Sequence, residues 1–136
     1  MKRREFIALT AAATIAPAAL SAKVVDYTPG MAKKALADGK TVFLDFSATW
    51  CSTCAAQDRV INALREENPD YDANITFIKV DWDDYGNGEL SNALKIPRRS
   101  TLVVLKGDKE LGRIVAGTAR KQIKKLMDTA LTAAMA

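Results

Sequence analysis

Two apolar patterns alternate along this chain. Short runs dense in β-branched and aromatic residues mark strands at 24–27, 41–46, 75–81, 101–105 and 110–115. Segments with apolar residues three and four apart mark helices. The run Thr41-Val42-Phe43-Leu44-Asp45-Phe46 is almost continuously apolar, as a central strand covered on both faces requires. Residues 29–37 place Met31, Ala35 and Leu36 on one side, with Pro29 in an allowed first-turn position and Gly39 as a stop. Beyond Cys51, residues Val60, Ile61 and Leu64 line one side of a helix that ends before Asn68-Pro69. Residues 83–88 read as a turn-rich loop, 89–94 as a short helix, and 106–109 as the turn of a hairpin. Gln122, Ile123, Leu126, Met127, Ala130 and Leu131 outline a final amphipathic helix. The order β-α-β-α-β-α-β-β-α predicts an α/β domain, a central mixed β-sheet flanked by helices on both faces.

The first residues follow a different pattern. Lys2, Arg3 and Arg4, an apolar stretch over 6–20 and small residues up to Ala22 have the layout of a secretory signal peptide. The paired arginines followed by Glu5, Phe6 and Ile7 resemble a bacterial twin-arginine export signal, with an ordinary secretion signal as the alternative. The stretch is interrupted by Pro17 and falls short of the about 20 apolar residues that a spanning helix needs. Cleavage after Ser21 or Ala22 is therefore expected. It leaves a domain of residues 23–136 with no membrane anchor, located in the periplasm. Loss of Lys2, Arg3, Arg4 and Glu5 lowers the formal charge from +4 to +2, so much of the basic character belongs to the address. The remaining basic residues are dispersed, apart from Arg98-Arg99 and a helical cluster around Arg120–Lys125, and no nucleic-acid partner is expected.

The chemistry is bounded by what is missing. The chain has no histidine, which excludes Ser-His-Asp and Cys-His catalysis and any histidine-ligated metal. Its two cysteines, Cys51 and Cys54, cannot alone complete a four-thiolate site, although two chains could share one. No cofactor is expected. The dithiol stands where a core strand ends and a helix begins. There the free N–H groups and the macrodipole stabilise a thiolate on Cys51, and Cys54 lies one turn further on the same face. The first thiolate attacks a disulfide and the second sulfur resolves the mixed disulfide. The alternatives are half of a zinc site, two buried thiols, or an inert disulfide, the last weak because so short a loop removes little unfolded-state entropy.

The run Val42-Phe43-Leu44-Asp45-Phe46-Ser47-Ala48-Thr49-Trp50-Cys51-Ser52-Thr53-Cys54 resembles the thioredoxin family's strand, buried acid and W-C-x-x-C. Ile78-Lys79-Val80-Asp81, residues 101–107 and Ala116-Gly117 are similar to its next strand, its terminal hairpin and the glycine before its last helix. The resemblance covers most of 23–136 and implies a thioredoxin-like fold. It also implies an enzyme, a thiol–disulfide oxidoreductase acting on protein thiols or disulfides; for an exported protein a membrane redox partner is expected as well. By the same resemblance Asp45 is a buried proton acceptor for Cys54, Lys79 is its charged partner, and Trp50 shields the sulfurs and forms part of the docking surface.

Three departures from the family stand out. Ser52-Thr53 separates the cysteines where Gly-Pro is usual, which implies a more oxidising disulfide. Arg59 replaces a kinking proline, and Asp58 and Arg59 are expected to face solvent. The family's cis-proline position falls on Ser100 if Thr101-Leu102 is aligned with the following strand, or on Pro97 with three extra loop residues. With Ser100 there, its preceding bond is expected to be trans, because a non-proline cis bond costs about 3–4 kcal/mol. Ser100 should then contact Cys51, an Arg98 or Arg99 beside it should lower the thiol's pKa and attract acidic clients, and Ser100→Pro should fold and raise activity. Two other functions stay open: a thioredoxin-fold module holding a metal or cluster at the dithiol, and an assembly partner with a silent disulfide.

Overall fold

A computed structural model describes residues 24–136; residues 1–22, read above as an export signal, lie outside the described residues. In chain order the elements are β1 (Val25–Asp26), α1 (Met31–Ala37), β2 (Thr41–Ser47), α2 (Ser52–Glu67), α3 (Asp70–Asn74), β3 (Thr76–Asp81), α4 (Trp82–Tyr85), α5 (Glu89–Ala93), β4 (Thr101–Lys106), β5 (Lys109–Val115) and α6 (Arg120–Met135). The five strands form one mixed sheet in the order β1-β3-β2-β4-β5. β3 runs parallel to both β1 and β2, while β4 is antiparallel to β2 and β5. The α/β class and the mixed sheet are therefore as the periodicity predicts.

Two short helical turns, α3 and α4, are not anticipated by the sequence pattern. Each is only four or five residues long, too short for a periodic apolar stripe, and packing holds it: Tyr71 of α3 is buried in the core, and Asp81 caps α4 by accepting from the Asp84 N–H. The hairpin turn is tighter than 106–109, because both strands continue to Lys106 and Lys109 and Gly107 supplies the positive φ of the two-residue loop.

The sheet separates two apolar cores. Val42, Leu44 and Phe46 of β2 point to one face with Ile78, Val80 and Val103, where Ala32 and Ala35 of α1 cover them. Phe43 points to the other, with Phe77, Leu102 and Val104, under Ile61 and Leu64 of α2 and Ile123, Leu126 and Met127 of α6. The period of two then settles where Asp45 goes. It shares the face of Phe43 and lies beneath α2, the helix that begins at the dithiol. Cross-strand register places Lys79 directly opposite it.

Candidate active site

β2 ends at Ser47, and the chain turns through Ala48 and Thr49 into α2. Cys51 is the N-cap of that helix: its backbone is extended and its sulfur accepts from the Cys54 N–H at 3.2 Å, the role a Ser or Asp side chain usually fills. The thiols are free, and the Cys54 Sγ donates to the Cys51 Sγ at 2.6 Å. Both residues are buried, Cys51 at 4% exposure and Cys54 at 1%.

Ser100 closes the site from the opposite loop. It is 0% exposed, and its Oγ lies 3.2 Å from the Cys51 Sγ and 3.1 Å from the Cys54 Sγ. Its φ is 64°, a left-handed conformation that costs a non-glycine residue about 1–2 kcal/mol. The surroundings hold it there. Its N–H donates to the Phe46 carbonyl at 2.7 Å, and its carbonyl accepts from the Ala116 N–H at 2.8 Å and from the Gln57 Nε2 at 2.9 Å. Among the described residues no peptide bond is cis, and Pro97 is exposed. The loop position facing the dithiol is therefore occupied by Ser100 with a trans bond, not by Pro97. The same geometry overturns the expectation for Ser100→Pro. Proline has neither the N–H that Phe46 accepts nor access to a positive φ.

Of the two adjacent arginines, Arg99 faces the site. Its guanidinium carbon lies 4.6 Å from the centroid of the Trp50 ring, whereas the Arg98 Nε turns back to the Arg99 carbonyl at 3.0 Å. Trp50 is 60% exposed, and its indole N–H donates to the Asp83 carboxylate, 3.0 Å from each oxygen. The ring is thus held between an anion and a cation beside the sulfurs.

These contacts tune the nucleophile. Burial pushes the Cys51 thiol up, but hydrogen bonds from the Cys54 thiol, the Ser100 hydroxyl, the Cys54 backbone amide and Arg99 outweigh it, and its pKa falls from 9.0 to about 7. Stabilisation of the thiolate by the helix start thus becomes, in three dimensions, a set of four donors drawn from two segments of chain.

Behind the dithiol the arrangement departs from the sequence expectation. Lys79 does not bind Asp45; its Nζ lies 2.8 Å from the Asp58 Oδ2. Asp58 is accordingly not a solvent-facing residue of α2, while Arg59 is exposed. The buried stripe of α2 is Cys54, Gln57, Ile61 and Leu64. Asp58 flanks that stripe on the side of β3 and leans into it. Asp45 is 6% exposed, and its Oδ1 has no hydrogen-bond partner. Burial, then the hydrogen bond and charge of Asp58, push the Asp45 carboxyl well above the usual carboxylate range. Lys79 pulls the other way and the charge of Cys51 adds to the rise.

Sequence reasoning missed Asp58, Gln57 and Asp83. Gln57, fully buried, donates to both the Ser100 and Gly117 carbonyls at 2.9 Å and so fastens the site loop to α2. A polar residue three positions after Cys54, in line with Ile61 and Leu64, was the available signal. Asp83 carried none beyond its place in an acidic run.

Residues 23–129 match the Thioredoxin family. Thioredoxin H2-1 of Oryza sativa subsp. japonica is 31% identical over 90 residues, which are 66% of this chain and 60% of that protein. The chain thus spans less than two thirds of that relative. Thioredoxin-1 of Saccharomyces cerevisiae is 33% identical over 81 residues, 60% of this chain and 73% of that protein. The crystal structure of a Malassezia sympodialis thioredoxin superposes with a TM-score of 0.68 at 22% identity, over 85% of this chain and 97% of that one, a likeness of fold.

Proposed function

This chain belongs to the thioredoxin family, and on that premise we propose that it is a periplasmic thiol–disulfide oxidoreductase that exchanges disulfides with protein cysteines through Cys51 and Cys54. The observation that carries the reading is the Cys51 sulfur: it caps a helix, receives four donors and has a pKa of about 7, next to a second thiol at 2.6 Å. A thiolate half-formed near neutral pH is close to the optimum for attack on a disulfide. Stabilising the thiolate also stabilises the reduced protein, which makes the disulfide the more oxidising partner. Trp50, with Arg99 against its ring, offers an exposed aromatic surface beside the sulfurs to a client chain. The export signal read in residues 1–22 supports the location, and a membrane redox partner is the corresponding source or sink of electrons.

In the forward direction the Cys51 thiolate forms a bond to one client sulfur and the other client sulfur leaves. Cys54 then attacks the Cys51 sulfur, closes the intramolecular disulfide and releases the reduced client.

Cys54→Ser should hold clients as mixed disulfides on Cys51, resolved by reductant on a gel, and Cys51→Ser should hold few. Equal capture by both variants overturns the assignment of roles. Reduction of insulin by the wild-type domain tests the activity itself. Residues 1–22 fused to a folded reporter should carry it to the periplasm, and a reporter that stays in the cytoplasm refutes the location.

A further inference from the structure

Asp58 stands where three parts of the site meet. It lies four residues after Cys54, so the two side chains share one face of α2 a turn apart, with Cβ atoms about 5–6 Å apart. Helical side chains lean toward the N-terminus, which tilts the Asp58 carboxylate toward the turn that carries Cys54. Its Oδ2 binds the Lys79 Nζ at 2.8 Å, and Lys79 lies in register with Asp45.

Two depressions open on either side of this ion pair. A cavity of about 260 Å³ is lined by Asp45, Asp58 and Lys79 over the apolar floor of Phe43 and Phe77. A cleft of about 500 Å³ is lined by Cys51, Asp58, Lys79 and Asp81. Asp45 borders the first alone and Cys51 the second alone, while Asp58 and Lys79 border both. The side chain of Asp58 is only 24% exposed, yet it lines the same open cleft as Cys51.

We propose that Asp58 is a second acid–base group of this site, paired with Asp45, and that it carries to solvent the proton that leaves Cys54. The proposal rests on the oxidoreductase reading. In the resolving step the Cys54 Sγ–H bond breaks and its electron pair forms the Cys51–Cys54 bond. The bond between Cys51 and the client breaks, and the client sulfur departs with the electron pair as a thiolate. The proton passes to the carboxyl pair, which then holds two protons instead of one, and leaves through Asp58 to water in the cleft. Across the full cycle the client disulfide gains two electrons and the dithiol loses two.

The charges facing Asp45 support a single proton on the pair in its resting state. Asp58 comes from α2, Lys79 from β3 and the Cys51 thiolate from the start of α2, with Asp26 of β1 acting on Lys79. β4 sets the uncharged Leu102 opposite Asp45. Lys124 and Asp128 of α6 are paired with each other. Arg65, which borders the cavity, is paired with Asp72. Two carboxyls beside one lysine cannot both ionise cheaply, so the buried Asp45 keeps its proton while Asp58 pairs with Lys79.

A chromogenic aromatic disulfide, dithiobis-nitrobenzoate, separates the steps in one stopped-flow trace. Attack by Cys51 releases one coloured thiolate at a rate proportional to reagent, and resolution by Cys54 releases the second at a rate independent of it. In the Asp58→Asn protein the second phase should be about tenfold slower at neutral pH, less than the roughly 10²–10⁴-fold effect of an acid–base group lost outright because Asp45 remains as acceptor. Its pH inflection should move down, because the charge that raised the Asp45 carboxyl is gone. The first phase should change less than about twofold, and Asp58→Glu should restore the second. An unchanged second-phase rate and pH profile in Asp58→Asn overturns the proposal. Should that variant fail to fold, Asp45→Asn decides: a second phase that keeps an inflection in the carboxylate range supports Asp58, and one with only the dependence of a thiol ionising refutes it. Absence of the first phase in the wild-type protein would refute the oxidoreductase reading instead.

Discussion

Ser100→Ala removes one oxygen from a buried site, and its consequences can be worked out from the geometry. The hydroxyl lies 3.2 Å from the Cys51 Sγ and is one of four donors that bring the thiol from 9.0 to about 7. A hydrogen bond to a charged group contributes about 1.5–3 kcal/mol, and one pKa unit is about 1.4 kcal/mol. Because the Cys54 thiol, the Cys54 amide and Arg99 remain, the lower figure applies, and the inflection should rise by about one unit. At neutral pH the thiolate fraction then falls from about half to about a tenth. The rate of alkylation at Cys51 should fall in proportion, and the ultraviolet absorbance of the thiolate, followed against pH, reads the inflection directly.

The same change moves the reduction potential, with a sign set by linkage. A depressed thiol pKa stabilises the reduced protein fully above the ordinary value of 9.0, and that stability is lost as pH falls through about 7. Ser100→Ala should therefore make the disulfide less oxidising by about 30 mV in alkaline solution, but by only about 10 mV at neutral pH. Ser100→Gly is the control. It loses the same hydroxyl while removing the backbone strain of φ 64°, so the inflection should shift equally in a protein that folds more readily. An inflection in Ser100→Ala that coincides with wild type, or a potential shift equal at both pH values, would refute the assignment of the hydroxyl as a donor to the thiolate.

Ser100→Pro should destabilise the fold by about 3 kcal/mol or more, read from denaturant unfolding, because it deletes the donor to Phe46 and forbids the observed φ. Asp45→Asn should stabilise the protein at neutral pH, since a carboxyl held above its usual range resists ionising in the fold. In the wild type this stability should decline as pH rises from the ordinary carboxylate pKa towards the raised folded value. Melting temperatures that follow the same pH course in both proteins would argue against it. Gln57→Ala should cost about 2 kcal/mol, because it strips buried carbonyls at Ser100 and Gly117 of a donor, and should also broaden the Cys51 titration as the Ser100 loop loosens. A titration as sharp as wild type would show that the loop is held by its backbone bonds alone.

Local rules account for what the sequence determined by itself. Strand and helix periods, glycines such as Gly39 and Gly107 at turns and a dithiol at a strand–helix junction are properties of neighbours along the chain, so the α/β order, the central place of β2 and the exposure of the first cysteine to a helix N-terminus were legible. The burial of Asp45 was legible too, because an acid inside an apolar strand has no solvent-facing choice when both faces are covered. Residues on the margin of a stripe were not. Asp58 sits one position from the buried face of α2, and only the approach of Lys79 from β3, 21 positions away, turns it inward. The Trp50–Asp83 and Gln57–Ser100 contacts span 33 and 43 positions, and no local pattern encodes them. Ser100 shows the division most clearly. Its place before β4 follows from the apolar run at 101–105, but its left-handed backbone and its hydroxyl between two sulfurs are imposed by Phe46, Ala116 and Gln57, which together outweigh a conformation that serine would not adopt alone.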